Sequence, residues 1–268
     1  MVLYSDAAAP SRSRFFCCAS WGFSIHLSYY FLILRYVPFN DPLMRTQVFW
    51  FFLLLSLSLT TAAQSFTGSF DLVVVQEYAN GNVRTDTVSY TFTPERTAMI
   101  LHGRGNEPDM RMLFDTGKKE IVALFLLDGK KLGYTLPMDE SHWPGMPHAL
   151  KTPPKSLPLA TSAPEKVIDD RKTREVRSEN DEYIATLWID ETIPLSMAQV
   201  LSYQSVGKGK SKKEIELFNQ LGVSGFPLEV LLKSKKGKAD VQLKVIHLSK
   251  EVNPAMFSSE GYSVRTIE

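Results

Sequence analysis

The stretch GSFDLVVVQEYANGNVRTDTVSYTFTP, residues 68–94, decides the fold. Apolar side chains occupy alternate positions in both of its arms, and Asn80-Gly81 lies between the arms. Alternation with a period of two is typical of a strand that buries one face. Asn and Gly both accept the positive φ that a type I′ turn requires. The stretch therefore predicts a β-hairpin.

Further strands are predicted on the C-terminal side of this hairpin. The segment KKEIVALFLLDGKKLGYTL, residues 118–136, turns at Asp128-Gly129, and residues 165–191 turn at Asp169-Asp170. A long hairpin follows in LEVLLKSKKGKADVQLKVIHL, residues 228–248, and the tail GYSVRTIE, residues 261–268, adds one more strand. Turn residues between successive strand patterns indicate an antiparallel meander.

Two helices are expected between the last two groups of strands. The first covers residues 194–206, with Pro194 in its first turn and Gly207 after its end. The second covers residues 211–221, where Ser211 and Glu214 have the spacing of a capping box. Residues 137–164 separate the helices from the first strands and hold seven of the fifteen prolines. This proline content predicts a surface loop.

Two of the expected strands are apolar on both faces, namely Leu72–Val75 and Ile121–Leu127. An antiparallel strand that exposes one face to water alternates apolar and polar residues. These two strands do not alternate, so both of their faces must be covered. The helices cover one face, and the sheet's own curvature, the Pro-rich loop or a ligand covers the other. We therefore expect a mainly β (α+β) chain with a curved antiparallel sheet, an open half-barrel, whose concave face carries the two helices as a lid. A closed sandwich with a solid core is the alternative.

The N-terminal part has the features of an export signal. Residues 44–63 give a positive start at Arg45, an apolar run and small residues before Gln64. Cleavage is expected between Ala63 and Gln64, which leaves residues 64–268 as a single periplasmic or secreted domain. A short membrane anchor that is never cleaved is the alternative. We therefore expect translation to begin at Met44, so that residues 1–43 are an over-extended N-terminus. A membrane-anchored leader is the alternative for residues 1–43.

Charge and cysteine content exclude several classes of function. Residues 1–63 carry four of the 30 Lys/Arg and two of the 29 Asp/Glu, so 26 basic and 27 acidic residues remain in the expected mature chain. This balance lacks the basic excess of a nucleic-acid-binding protein. Both cysteines, Cys17 and Cys18, lie in the removed part. The mature chain is therefore expected to have no disulfide, thiolate metal site or cysteine nucleophile.

No catalytic or metal-binding signature stands out in the remaining residues. His142 and His148 lie near Glu140 in a proline-bent loop without the spacing of metal ligands on a helix. His247 continues the face of Val241, Leu243 and Val245, which favours an edge or core histidine. We expect no enzyme activity, no metal and no cofactor.

Three stretches resemble a known bacterial family. These are RMLFDTGKKEIVAL, ENDEYIATLWIDETIPLSMAQVL and GFPLEVLLKSKKGKADVQLKVIHLS, within residues 66–264. They are similar to the domain of unknown function 4412 family, which is grouped with the LolA/LolB-like periplasmic lipoprotein carriers. The resemblance implies an open half-barrel with a helical lid over a hydrophobic cavity that binds acyl chains or another apolar ligand. The functional residues of the carriers have no matching motif in this sequence, so the resemblance assigns no functional residue here.

Candidate ligand-binding residues follow from the predicted cavity. Thioether side chains adapt to irregular apolar ligands, and the set, which also includes large apolar side chains, is Met99, Met110, Met112, Phe125, Leu195, Met197, Leu201 and Phe218. Ordinary core filling is the alternative for the methionines. We expect an apolar ligand such as an acyl chain, a lipid or a lipoprotein. A non-catalytic regulatory module that binds another envelope protein is the alternative.

A group of lysines adds a possible membrane contact, comprising Lys208, Lys210, Lys212 and Lys213. Clustered lysines attract anionic headgroups, so a transient contact with the membrane surface is expected. A solvated helix start is the alternative.

Overall fold

The computed structural model describes residues 66–151, 162–207, 210–222 and 225–267. In these ranges the strands are β1 (Gly68–Glu77), β2 (Val83–Phe92), β3 (Arg96–Leu101), β4 (Met110–Asp115), β5 (Glu120–Leu127), β6 (Lys130–Pro137), β7 (Glu165–Ile168), β8 (Arg171–Glu179), β9 (Tyr183–Asp190), β10 (Phe226–Ser234), β11 (Asp240–Ser249) and β12 (Ser263–Thr266). The helices are α1 (Met146–Ala149), α2 (Met197–Ser202) and α3 (Lys213–Gln220), with 3-10 turns at Tyr203–Ser205 and Pro254–Phe257. The predicted mainly β class is confirmed.

All described strands belong to one open sheet with the order β12-β6-β5-β4-β3-β2-β1-β11-β10-β9-β8-β7. Neighbouring strands run antiparallel, except that β12 lies parallel to β6. The first six strands form the predicted meander, and β11 joins β1 to the strands that come later in the chain. The predicted strand in the tail is confirmed as β12.

The turn between β1 and β2 differs from the predicted type I′ turn. Gly81 has a φ of 81°, whereas Asn80 is not among the residues with positive φ. The Gly81 N–H donates to Tyr78 O at 2.9 Å, and the Tyr78 N–H donates to Asn82 O at 2.9 Å. A three-residue loop with a single left-handed residue gives this pattern. The hairpin is confirmed, but its turn type was predicted wrongly.

The sheet buries one face, here called the inner face, beneath the helices. On β1 and β2 this face carries Phe70, Leu72, Val88, Tyr90 and Phe92, each at most 4% exposed. The same core continues through the inner faces of β9, β10 and β11 and into α2 and α3. Strand alternation therefore identified the buried side of the central hairpin correctly.

The opposite face of the sheet, here called the outer face, has a different cover from the one predicted. Ala98, Leu113 and Leu124 form a second small core there. Phe257 and Tyr262, which lie in residues 250–262, here called the strap, pack against this second core. The expectation that curvature, the Pro-rich loop or a ligand covers the outer face of β5 is thus wrong, because the chain's own C-terminal part provides the cover.

The helices are shorter than predicted and begin at other residues. Before α2, Ser196 is the N-cap and its hydroxyl accepts from the Gln199 N–H. Before α3 the N-cap is Lys212, which makes no side-chain cap bond, and the Ser211 hydroxyl accepts from the Lys213 N–H instead. The predicted capping box of Ser211 is therefore wrong.

The first part of the Pro-rich segment is structured. It contains α1, and Trp143 within it is fully buried among the inner-face residues. Residues 152–161 of the predicted loop lie outside the described residues. The predicted leader, residues 1–43, and signal, residues 44–63, lie outside them as well.

Within the described ranges, no helix combines the length and the apolar character that crossing a membrane requires.

Candidate functional site

Most of the residues predicted to line a ligand cavity lie in the inner core. Met99, Met112, Leu195, Met197, Leu201 and Phe218 are all buried members of that core. Met110 is partly buried against it. Phe125 is half-buried on β5, with its ring centroid 5.7 Å from that of Tyr134. In the described structure these side chains contact neighbouring protein groups, and their contact with a ligand stays a prediction.

A cleft of about 180 Å³ opens at one end of the inner face. Its walls come from the β2–β3 turn, the end of α1 and the start of α2. Five aromatic residues line it and give the name used below, the aromatic cleft: Phe66, Phe92, Phe114, Trp143 and Tyr203. Of the eight predicted ligand-binding residues, Leu195 alone belongs to this lining.

The aromatic rings hold one another in edge-to-face and tilted contacts. The centroid of the Tyr203 ring lies 4.9 Å from that of Phe114, 5.2 Å from that of Trp143 and 5.7 Å from that of Phe92. Such pairs contribute about 0.5–1.5 kcal/mol beyond the burial of their area. The Trp143 Nε1–H donates to Ser202 O at 2.8 Å, which fixes the indole against the end of α2. The cleft therefore has a rigid apolar floor.

The rim of the aromatic cleft is polar. Exposed Glu95, Arg96 and Lys151 surround its mouth. Gln199 also lines the cleft, and its Nε2 donates to Ala149 O at 3.0 Å. An apolar floor with a few polar groups at the entrance is the usual composition of a small-molecule site.

A second cleft of about 360 Å³ adjoins the first. Phe66 and Pro194 line both clefts, so the two are neighbours with these residues between them. The second, here called the basic cleft, carries Arg171 and Lys250 in its lining. Arg171 Nη1 lies 2.9 Å from Oδ2 of buried Asp190, which holds the guanidinium in place. Together the clefts offer an aromatic end and an end lined by two basic side chains, of which Arg171 is paired with Asp190.

Sequence reasoning missed these clefts because their residues come from distant parts of the chain. Phe92 ends β2, Phe114 is the next-to-last residue of β4, and Trp143 lies in a segment predicted as a loop. The available signal was Trp143 itself, since a large aromatic residue in a proline-rich stretch is rarely left in solvent. Its partners depend on sheet order, which the sequence alone does not provide.

One of the two histidines considered as metal ligands, His142, contacts a neighbouring carboxylate. His142 Nδ1 lies 2.9 Å from Asp139 Oδ1. The Ser141 hydroxyl donates to the same carboxylate, and this bond, followed by those from His142, holds the pKa of Asp139 below its usual range. Within the parts of the chain that the structure describes, no three His, Cys, Asp or Glu side chains are arranged to hold a metal ion.

The predicted lysine group is only partly described, because Lys208 lies outside the described residues. Lys212 and Lys213 stand at the start of α3, followed by Glu214 and Glu216 in its first turn. The Lys210 N–H donates to Gly207 O at 3.2 Å. Membrane contact through these lysines stays a prediction.

Several solved structures resemble this chain weakly. PNGF-II shares 8% sequence identity over 75% of this chain, with a TM-score of 0.34, and this chain covers 32% of its length. An uncharacterised conserved protein from Thermus thermophilus shares 11% identity, with 79% of this chain and 96% of that chain covered and a TM-score of 0.36. A LolA superfamily protein from Nitrosomonas europaea shares 7% identity, with 73% and 91% covered and a TM-score of 0.31.

Likenesses at these TM-scores carry no conclusion about the family or function of this chain. No protein-family model matches the sequence, and no curated protein matches it either. Membership of the domain of unknown function 4412 family therefore stays a prediction.

Proposed function

We propose that this chain is an exported, LolA-like envelope protein that binds an apolar ligand with a negatively charged end, such as an acyl chain bearing an acidic group. The observation that carries this proposal is that the aromatic and basic clefts lie next to each other, with Phe66 and Pro194 lining both. The acyl part lies against Trp143 and Tyr203, and the acidic end lies near Arg171 and Lys250. An engineered cavity of about 150 Å³ binds benzene, so the aromatic cleft has room for a ring or a short acyl segment.

A longer acyl chain requires the helices to move. Leu201 on α2 and Phe218 on α3 are buried members of the inner core, as are Met99 on β3 and Met112 on β4. If α2 and α3 lift as a lid, these four side chains become the walls of a longer apolar site. Lys210, Lys212 and Lys213 then lie beside the opening, where anionic headgroups would be attracted.

Native mass spectrometry of the protein isolated from its own cell envelope tests this proposal. We expect an added mass that dissociates as an acidic amphiphile. We also expect the Leu150→Trp variant, which places an indole at the exposed rim of the aromatic cleft, to lose this mass. A protein that carries no ligand, or a ligand retained by the variant, would contradict the proposal.

A second function, an interaction module for another envelope protein, is favoured by the outer face of β9 and β10. Ile184 and Leu231 are 48% and 42% exposed there. They are diagonal neighbours, because Leu231 pairs with Thr186 and Lys233 with Ile184 in the register. Adjacent exposed apolar side chains mark protein-binding surfaces more often than isolated ones. Changing both to serine would weaken partner binding and leave ligand binding intact.

A further inference from the structure

Five side chains form a continuous hydrogen-bonded chain on the outer face of the sheet. Asp71 on β1 and Ser89 on β2 lie directly opposite each other in the register. His102 follows β3, Asp109 precedes β4, and His247 belongs to β11. None of the five lines the aromatic or the basic cleft. This hydrogen-bonded series of side chains is therefore separate from the proposed ligand site.

Three of these residues have the contacts of a nucleophile, a base and an orienting carboxylate. Ser89 Oγ lies 2.8 Å from His102 Nε2, and His102 Nδ1 lies 3.0 Å from Asp109 Oδ2. The second carboxylate oxygen of Asp109 accepts from the Gly103 N–H at 2.9 Å, which fixes the carboxylate. A carboxylate on Nδ1 favours the tautomer whose Nε2 accepts the serine proton.

Ser89 also faces a second acceptor. Its Oγ lies 2.5 Å from Asp71 Oδ1, and Asp71 Oδ2 lies 2.8 Å from His247 Nδ1. His247 reaches Asp71 because it is the extra residue of a β-bulge, with a φ of 55°. A hydroxyl has one proton to donate, so Asp71 competes with His102 for the proton of Ser89.

We propose that Ser89 is a nucleophile that accepts acyl groups, with His102 as its general base and Asp109 as the residue that positions His102. Ser89 Oγ attacks the carbonyl carbon of an ester while its proton passes to His102 Nε2. The bond to the alcohol oxygen breaks, and the leaving alcohol takes that proton from His102. Water then attacks the acyl-serine, again giving a proton to His102, and this proton returns to Ser89 as the carboxylic acid leaves.

The surroundings of Ser89 leave it accessible to ester substrates from solvent. Ser89 is half-buried in the middle of β2, and His102 and Asp109 are exposed at the β3–β4 turn. Such an open position admits a small acyl group from solvent. This activity goes beyond the proposed ligand binding and uses none of the cleft residues, so either function could fail without the other.

Labelling with a fluorophosphonate probe tests the assignment, because Ser89 would displace fluoride from phosphorus and keep the phosphonyl group. We expect the intact purified protein to be labelled at Ser89, as located by peptide mass spectrometry, and Ser89→Ala to be unlabelled. His102→Ala should slow labelling by about 100-fold or more, which is typical for loss of a general base. Asp71→Asn should speed labelling, because the competing carboxylate is gone.

Ser69→Ala is the matched control. Ser69 lies on β1, two residues from Asp71, and its hydroxyl donates to Glu251 O rather than to a histidine. The variant should be labelled at the wild-type rate. An unlabelled wild-type protein, equal labelling of Ser89→Ala, or a wild-type rate in His102→Ala would overturn the proposal. A wild-type rate in Asp71→Asn would overturn the competition by Asp71 for the proton of Ser89.

Discussion

Tyr90 is the largest polar side chain that the inner face buries on β2. It is 1% exposed, and its hydroxyl accepts from Gln204 Nε2 at 2.7 Å. Burial raises the pKa of this phenol above its ordinary value, although the bond from Gln204 acts in the opposite direction. Burial likewise raises the pKa of Tyr203, whose hydroxyl accepts from Thr97 Oγ1 at 3.2 Å. Both tyrosines therefore resist ionisation in the folded protein.

Stability should fall at high pH because of these two residues. In the unfolded chain they ionise near pH 10, whereas the folded chain keeps their protons, so the unfolded state binds fewer protons. Their stabilising contribution is complete below about pH 10 and decreases above it, by up to about 1.4 kcal/mol per pH unit for each tyrosine. Urea unfolding of wild type and Tyr90→Phe from pH 8 to 11 measures this. Tyr90→Phe should flatten the slope above pH 10, and an identical slope in both proteins would contradict the raised pKa.

Gly81→Val tests the turn at the residue scale. Gly81 has a φ of 81°, and a Cβ there would meet no atom within 4 Å. The only cost is therefore backbone strain, which for a β-branched residue in this region is about 1–3 kcal/mol. Thermal and urea unfolding should show this loss. A melting temperature equal to that of wild type would show that the loop adopts another conformation.

Residue patterns predicted which side chains are buried better than they predicted local backbone shape. Alternation predicted that the central hairpin buries one face, and Phe70 and Tyr90 are buried on that face, because a period of two follows directly from strand geometry. It misplaced His247, because the β-bulge between β1 and β11 inserts one residue and ends the alternation there. The loop at Asn80-Gly81 was assigned the wrong turn type because Asn also fits turns in which its φ is negative.

At the scale of elements, the strap explains why β5 is apolar on both faces. Arg111 Nη1 donates to Ala255 O at 3.1 Å, and Nη2 of Arg111 donates to Ser258 O at 2.6 Å. The Arg96 guanidinium lies 4.9 Å from the centre of the Phe257 ring. The sequence showed that both faces of β5 must be covered. It did not show which distant segment covers the outer face, because periodicity does not identify the partner of a non-local contact. The strap was therefore not foreseen.

The contact between α1 and α2 depends on Gly145. A Cβ at this position would lie 2.2 Å from Ser205 Oγ and 2.4 Å from Ser202 O. Because Ser202 O is a backbone atom, Gly145→Ala should push α1 away from α2 and cost about 1–3 kcal/mol, as overpacking does. Urea unfolding measures the loss.

Gly117→Ala is the control for this substitution. Its Cβ would approach only Asp115 Oδ1, at 3.4 Å, so we expect a change within about 0.5 kcal/mol. Equal stability of the two alanine variants would show that α1 and α2 are packed less closely than described.

At the scale of the whole molecule, the sequence predicted the mainly β class, the meander and the final strand. It did not predict the aromatic cleft, because the cleft joins the ends of β2 and β4 to Trp143 and to the 3-10 turn after α2. The eight predicted ligand residues were chosen as apolar side chains near the helices. Apolar side chains that fill a core and those that line a cavity have the same sequence pattern, so sequence alone does not separate them.

The predicted leader gives a further whole-chain test. Forcing translation to begin at Met44 in the native host should leave export and thermal stability unchanged. The exported protein should begin at Gln64, as N-terminal sequencing would show. Retention of the shortened chain in the cytoplasm, or peptides from residues 15–35 in the exported protein, would contradict the assigned start.

Equilibrium titration with a fluorescent acyl probe, dansyl-undecanoic acid, tests the proposed binding function most directly. We predict one saturable site in the wild-type protein. The Leu150→Trp variant should bind at least about tenfold more weakly, because its indole fills the mouth of the aromatic cleft. Leu127→Trp adds the same indole at a hairpin end outside the cleft, where Leu127 is 55% exposed, and should bind as wild type does. Absence of saturable binding, or equal affinity in the Leu150→Trp and Leu127→Trp variants, would contradict the proposed function.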